Sequence, residues 1–293
     1  MLACALFASF SLACQSLAAS AIVNAPNRGA PAPRTTVDSE IRIPVGPPNA
    51  VLSLEVLAPE VTRATVFVLH GIRADKDSTR GWGALLVKAG FRAVLVDLRG
   101  HGRSTGDFLT FGVIESRDLA QLLDALEARG LTVGDVGVLG FSYGGGVAIE
   151  WAGIDPRVKA VVAVASFASL RDVVPDYVPM LSRSFVNGAV DLAGRRCGFD
   201  PDDASPVRAM GRTAAPILLI HGLDDHHVPW SHSQHLFDAR REHTQLLLIP
   251  GANHASIATD PAVTENAPAW FARYLTTDVR SAPFVAPHAT VPR

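Results

Sequence analysis

The chain is poor in charge. Only 18% of its 293 residues are ionised at neutral pH, against about 25% in an ordinary soluble domain. No Lys, Arg, Asp or Glu precedes Arg28. Basic excess is also missing, since 26 Lys and Arg face 28 Asp and Glu. A general nucleic-acid binder needs that excess to neutralise phosphates, so this class is excluded. Cysteine is equally scarce: of three, only Cys197 lies beyond the first 21 residues. A chain trimmed there can form no intramolecular disulfide, and no local signature marks Cys197 as a catalytic thiol. Internal repeats are absent. An apolar fraction of 48% rules out an intrinsically disordered chain.

The uncharged stretch Met1–Ala21 holds an apolar run from Leu2 to Cys14, followed by the small residues Ser16-Leu17-Ala18 and Ala19-Ser20-Ala21. A short apolar region followed by small-x-small is the pattern of a secretory signal peptide, cleaved near Ala18 or Ala21. Lipidation at Cys14, after Ser11-Leu12-Ala13, is a second reading. Either implies export to the periplasm or outside the cell rather than a cytoplasmic place. A membrane span needs about 20 predominantly apolar residues, and Gln15 and the serines interrupt this one. Contact with a membrane is therefore expected only through the leader or a lipid on it.

Residues 22–44, rich in Pro, Asn, Gly and Thr over 24–38, are expected to link this leader to the fold. Beyond them come short runs rich in β-branched residues. They are Val51–Leu57, Thr65–Leu69, Ala93–Val96, Val136–Leu139, Ala160–Val164, Ile217–Ile220 and Gln245–Ile249. Such runs suit strands buried on both faces of a parallel sheet. Helical spacing lies between them. In Glu115–Ala128, Leu119, Leu122, Leu123 and Leu126 share a stripe, while Arg117, Asp118, Asp124 and Glu127 are expected to face away. The alternation predicts an α/β fold with a mostly parallel central sheet and helices on both faces. Residues 166–212 break the rhythm, with four prolines and no clear strand, and are expected to form a short helical lid. Residues 276–293 are expected to be a loose tail. Length alone suggests two domains; the pattern favours one, over 45–275.

One turn carries chemistry. Gly140-Phe141-Ser142-Tyr143-Gly144 follows a predicted strand and opens a helix. A nucleophilic serine must project from a tight strand-to-helix turn, and glycines beside it remove the Cβ atoms that would clash. A chain of this composition would show G-x-S-x-G by chance about 0.1 times, so context has to support it. No Lys-Ser or Lys-Thr follows, which sets aside a phosphate loop.

Four further motifs stand in order around this one. They are Leu69-His70-Gly71, Asp97-Leu98-Arg99-Gly100-His101-Gly102-Arg103-Ser104, His221-Gly222-Leu223-Asp224-Asp225-His226-His227-Val228-Pro229 and Gly251-Ala252-Asn253-His254. Over roughly residues 45–275 the chain resembles the α/β-hydrolase superfamily, and its general bacterial carboxylesterases and serine-peptidase-like members in particular. The order serine, acid, histidine is that of this superfamily.

The resemblance implies Ser142 as nucleophile, His254 as its base, and Asp225 as the acid orienting the imidazole. Asp224 is the adjacent competitor, and the spacing to Val228-Pro229 favours Asp225. Backbone N–H groups of Tyr143 and Ile72 would form the oxyanion hole. Cleavage of an ester or related acyl bond of a small molecule is expected, with no cofactor and no metal. Peptidase and thioesterase activity are the alternatives, and a non-catalytic binding module is the rival outside enzymes. Serine rather than Asp at position 142 argues against dehalogenase and epoxide-hydrolase chemistry.

The remaining candidates read as structural. His70 and His101 are expected to stabilise loops, and Arg99 to hold the tight turn around it. His226, His227, His232, His235 and His243 are expected on an exposed helix and loop rather than as metal ligands. Phe111, Trp82, Trp151 and Trp230 are expected in the core or a pocket wall.

Overall fold

The computed structural model describes residues 2–27 and 40–275, with side chains from residue 13 onward. Eight strands form one sheet: β1 (Glu40–Val45), β2 (Ala50–Leu57), β3 (Thr65–Leu69), β4 (Arg92–Val96), β5 (Val136–Phe141), β6 (Val158–Val164), β7 (Ile217–Gly222) and β8 (Thr244–Ile249). Their spatial order is β1-β2-β4-β3-β5-β6-β7-β8. The two antiparallel pairs, β1/β2 and β2/β4, stand at one edge, and every other pairing is parallel.

The β-branched runs behave as strands because each buries both faces. Phe67, Leu69, Val94 and Val96 point into one core, and Val66, Val68, Ala93 and Leu95 into the other. Helices α2 (Arg80–Lys88) and α9 (Pro261–Tyr274) cover the second face with Trp82, Leu86, Trp270 and Phe271. Helices α3 (Glu115–Glu127), α4 (Tyr143–Ala152) and α8 (Ser231–Ala239) cover the first. Residues 166–212 hold no strand; they carry α5 (Leu170–Tyr177), α6 (Arg183–Cys197) and α7 (Pro206–Met210). Serine caps start two of these: Ser169 accepts the Asp172 amide and Ser182 the Phe185 amide.

Two expectations need correction. First, the stretch 22–44 is not all linker. Strand β1 begins at Glu40, and its alternation buries Ile41, Ile43 and Val45. Pro44, which lacks an amide donor, is tolerated because β1 is an edge strand. Upstream, Asn24 bridges to Phe108, and the Leu109 amide donates to Val23 O at 2.8 Å. The rest of that stretch, 28–39, lies outside the described residues, as does the expected tail over 276–293.

The N-terminal run forms a helix, α1 (Leu2–Val23), that packs along α6. Among the described residues no helix is long and apolar enough to cross a membrane. Second, Asp118 does not face away from the core. It is buried, and its carboxylate receives Arg99 in a two-pronged ion pair at 2.7 and 2.8 Å. A pattern of apolar positions has no means of showing that a buried cation awaits a charged residue on the same helix.

Candidate active site

The site is built at the carboxyl ends of β5, β7 and β8. At the end of β5 the chain turns sharply into α4, with Ser142 at φ 51° and ψ −114°. The flanking glycines are required by space. A Cβ on Gly140 would run into the Gly144 carbonyl, and one on Gly144 would come within 2.5 Å of His70 O. The Ser142 amide donates to Val164 O at 2.8 Å, which ties the strained residue to β6.

His254 arrives on the loop after β8. Gly222 lets that loop pass directly over the end of β7, since a Cβ there would overlap the Ala252 carbonyl. The Asp224 amide then donates to Ala252 O at 3.0 Å, so the two loops are joined. The result is a line of three side chains. His254 Nε2 lies 3.0 Å from Ser142 Oγ, and His254 Nδ1 lies 2.6 Å from Asp225 Oδ2. A carboxylate only accepts, so Nδ1 carries the proton and Nε2 presents its lone pair to the serine hydroxyl. Asp224 is exposed and takes no part, whereas Asp225 is buried.

Burial by itself would push the Asp225 carboxyl up. Hydrogen bonds from His221, His254 and the Val228 amide outweigh it and hold the group well below the usual carboxylate range. His221 Nε2 stands between two acceptors, 3.3 Å from Asp225 Oδ2 and 2.8 Å from Val228 O. The Nδ1 of the same ring meets Ser233 Oγ at 2.7 Å.

Beside Ser142 opens a cavity of about 380 Å³. Ile72, Phe111, Tyr143 and Phe167 line it with the serine, and Arg73, Val228 and apolar side chains of α1, α5, α6 and the loop between the last two complete the wall. Tyr143 supplies the first amide of α4, one of the donors a helix cannot satisfy internally. Ile72 follows Gly71, whose Cα faces the serine closely enough that a Cβ there would stand 3.6 Å from Ser142 Cβ.

A family model described as alpha/beta hydrolase fold matches residues 64–211. The chain belongs to this family. It is 24% identical over 205 residues to the Bacillus subtilis protein YqkD, covering 68% of this chain and 67% of that one. Over 248 residues it is 25% identical to the acylamino-acid-releasing enzyme of Sus scrofa, covering 78% of this chain but 34% of the larger protein. A solved Pyrococcus furiosus esterase, Pf2001, superimposes with a TM-score of 0.63 at 21% identity, covering 83% of this chain and 97% of its own.

In this α/β-hydrolase chain the other sequence candidates fall as follows. Asp97 is buried and accepts the Lys76 amide at 2.7 Å, Lys76 Nζ at 2.6 Å and the Arg103 amide at 2.9 Å. The Asp97–Ser104 run thus ties loops together. His70 is buried, and its Nε2 accepts the Leu98 amide at 3.0 Å. His101 is also buried and stacks against His70 and Tyr143. Burial pushes both imidazoles down, His70 to about 3.

His232 departs from the exposed position expected of it. It is buried, accepts the Ala168 amide and meets Asp176 Oδ2 at 2.8 Å, fastening α8 to α5. Trp151 is core and Phe111 a pocket wall, but Trp230 is 38% exposed. Among the described residues no group of three or more His, Cys, Asp and Glu could hold a metal ion.

Sequence reasoning missed one wall of the cavity. Ala18, Ala21 and Ile22 of α1 line it. A run of small apolar residues reads the same whether it is discarded or packed, so no local signal marked them.

Proposed function

We propose that the protein is a serine hydrolase that cleaves an ester or related acyl bond through an acyl-enzyme intermediate. The observation that carries this reading is the hydrogen-bonded line Ser142–His254–Asp225. Ser142 Oγ attacks the acyl carbon as His254 Nε2 takes its proton. The carbonyl oxygen becomes an oxyanion, stabilised by the Tyr143 and Ile72 amides and the positive end of α4. His254 then protonates the leaving alkoxide, and the acyl group stays on Ser142. Water, deprotonated by the same imidazole, attacks the ester, and Ser142 leaves with its proton restored.

Asp225 stays ionised throughout, which its depressed carboxyl pKa favours. The names of the similar proteins, an esterase and an acylamino-acid-releasing enzyme, support acyl-transfer chemistry in general. An aliphatic and aromatic cavity beside the serine favours an apolar acyl group over a charged one.

A fluorophosphonate probe tests the assignment. Wild type is expected to label on Ser142, and Ser142→Ala to remain unlabelled. Turnover of nitrophenyl esters should exceed that of aminoacyl amides. A folded wild type that does not label overturns the nucleophile, and preference for the amides moves the activity to a peptidase.

A further inference from the structure

Part of the wall of the active-site cavity comes from outside the α/β sheet. Ala18, Ala21 and Ile22 of α1 face the same space as Val186 and Ala189 of α6 and Ser142 itself. Helix α1 is a packed element. Ala19 and Val23 are buried, and the Gln15 amide donates to Phe185 O at 3.4 Å. Arg196 of α6 donates to Ser16 O at 2.8 Å and Ser20 Oγ at 3.0 Å. Gly188 of α6 faces the Gln15 side-chain amide of α1.

Small residues matter in this wall. Ala18, Ala21 and Ala189 leave a space bounded mostly by hydrocarbon. The apolar stretch between α1, α5 and α6 suits an extended chain of methylenes, with Arg73 and Tyr177 as the polar lining elsewhere on the wall.

We infer that α1 is a specificity-determining wall of an acyl-chain site. The substrates are then esters of unbranched aliphatic carboxylic acids longer than acetate, with the chain lying between α1, α5 and α6. This rests on the serine-hydrolase reading above. It also sets two uses of the same residues against each other: of the wall residues Ala18, Ala21 and Ile22, cleavage after Ala18 would remove the first and cleavage after Ala21 the first two, along with most of α1.

The test is a chain-length series of nitrophenyl esters on the full chain. Wild-type kcat/KM should rise from acetate by up to about fourfold per buried methylene until the cavity is filled. Ala18→Phe and Ala21→Phe should abolish that rise, so that their kcat/KM no longer climbs beyond acetate. Ala18→Cys, which adds little volume, supplies a readout if the bulky variants fold poorly. An octyl fluorophosphonate, which bonds Ser142 Oγ to phosphorus and expels fluoride, should slow alkylation of that cysteine severalfold; a methyl one should not.

Variants that keep the wild-type profile, equal alkylation rates, or an active enzyme whose intact mass begins after Ala21 would overturn the inference. A wild type that neither labels at Ser142 nor turns over acetate removes the serine-hydrolase reading and this one with it. Labelling and acetate turnover with an unchanged profile remove only this one.

Discussion

Asp225 holds His254 through Oδ2, 2.6 Å from Nδ1, while its Oδ1 accepts the His227 and Val228 amides, each at 2.9 Å. The carboxylate is therefore aimed by its own loop before it aims the imidazole. Asp225→Asn keeps the shape but can offer an NH₂ to Nδ1, which favours the wrong tautomer for deprotonating Ser142. Its kcat is expected to fall by roughly 10⁴-fold, the scale of that change in other Ser-His-Asp enzymes. Asp224→Asn, one residue away and exposed, should leave kcat within about twofold, as surface changes generally do little. Steady-state ester kinetics on the two variants separate the neighbours.

Ser142 should be a source of strain as well as of chemistry. A non-glycine residue at φ 51° and ψ −114° costs about 1–3 kcal/mol. Ser142→Ala retains that cost. Ser142→Gly relieves it, less the up to about 1 kcal/mol that glycine's greater unfolded freedom takes back. Both variants should be inactive, with Ser142→Gly melting a few degrees above Ser142→Ala. Thermal unfolding of the pair decides it, and equal midpoints would mean that the elbow is not strained.

Much of this site is legible in the order of residues because its geometry is local. Gly140 and Gly144 are needed by the turn that carries Ser142, and a turn of five residues leaves its mark on five consecutive letters. His254 and Asp225 are legible for a related reason: each lies just beyond a strand that a β-branched run announces. What escaped is non-local. Asp118 is matched by Arg99 across a loop, and His232 by Asp176 across two helices. Strand β1 hid in a polar stretch because an edge strand buries only alternate residues. The packing of α1 on α6 escaped too, since it depends only on what stands opposite it.

The Arg99–Asp118 pair should be costly to break from one side. Both side chains are 2% exposed. Removing the carboxylate in Asp118→Ala leaves a buried guanidinium with only the Pro48 carbonyl, 2.8 Å from Nη2. Loss of one partner of such a pair typically costs about 3–5 kcal/mol. The double variant Arg99→Met with Asp118→Leu should recover most of this, because two apolar groups need no compensating charge. Urea unfolding of the single and double variants measures the difference; a double variant as weak as Asp118→Ala would show that packing, not charge, sets the cost.

Glu150 should give stability a pH dependence opposite in sign to that of Asp225. It is buried on α4, with Oε1 accepting the Ser205 amide at 2.6 Å and Oε2 at 3.3 Å from Arg212. Burial pushes its pKa up to about 7, against the pull of that amide and Arg212, and Asp203 and Glu115 add to the rise. In the unfolded chain its ordinary value is 4.5. Between these two values the folded state binds more protons than the unfolded one, so this contribution to stability falls as pH rises. Below the window both states are protonated and the penalty is absent; above it both are ionised and the penalty is complete. Asp225 runs the other way. Its folded pKa is depressed, so its contribution is present above the ordinary carboxylate value of 3.8 and is lost as pH falls below it. Glu150→Gln keeps an acceptor for the Ser205 amide but cannot ionise. Its melting temperature relative to wild type should therefore climb from pH 4.5 to pH 7 and stay high beyond. A difference that is constant across that range, measured by thermal unfolding in matched buffers, would place the Glu150 proton elsewhere.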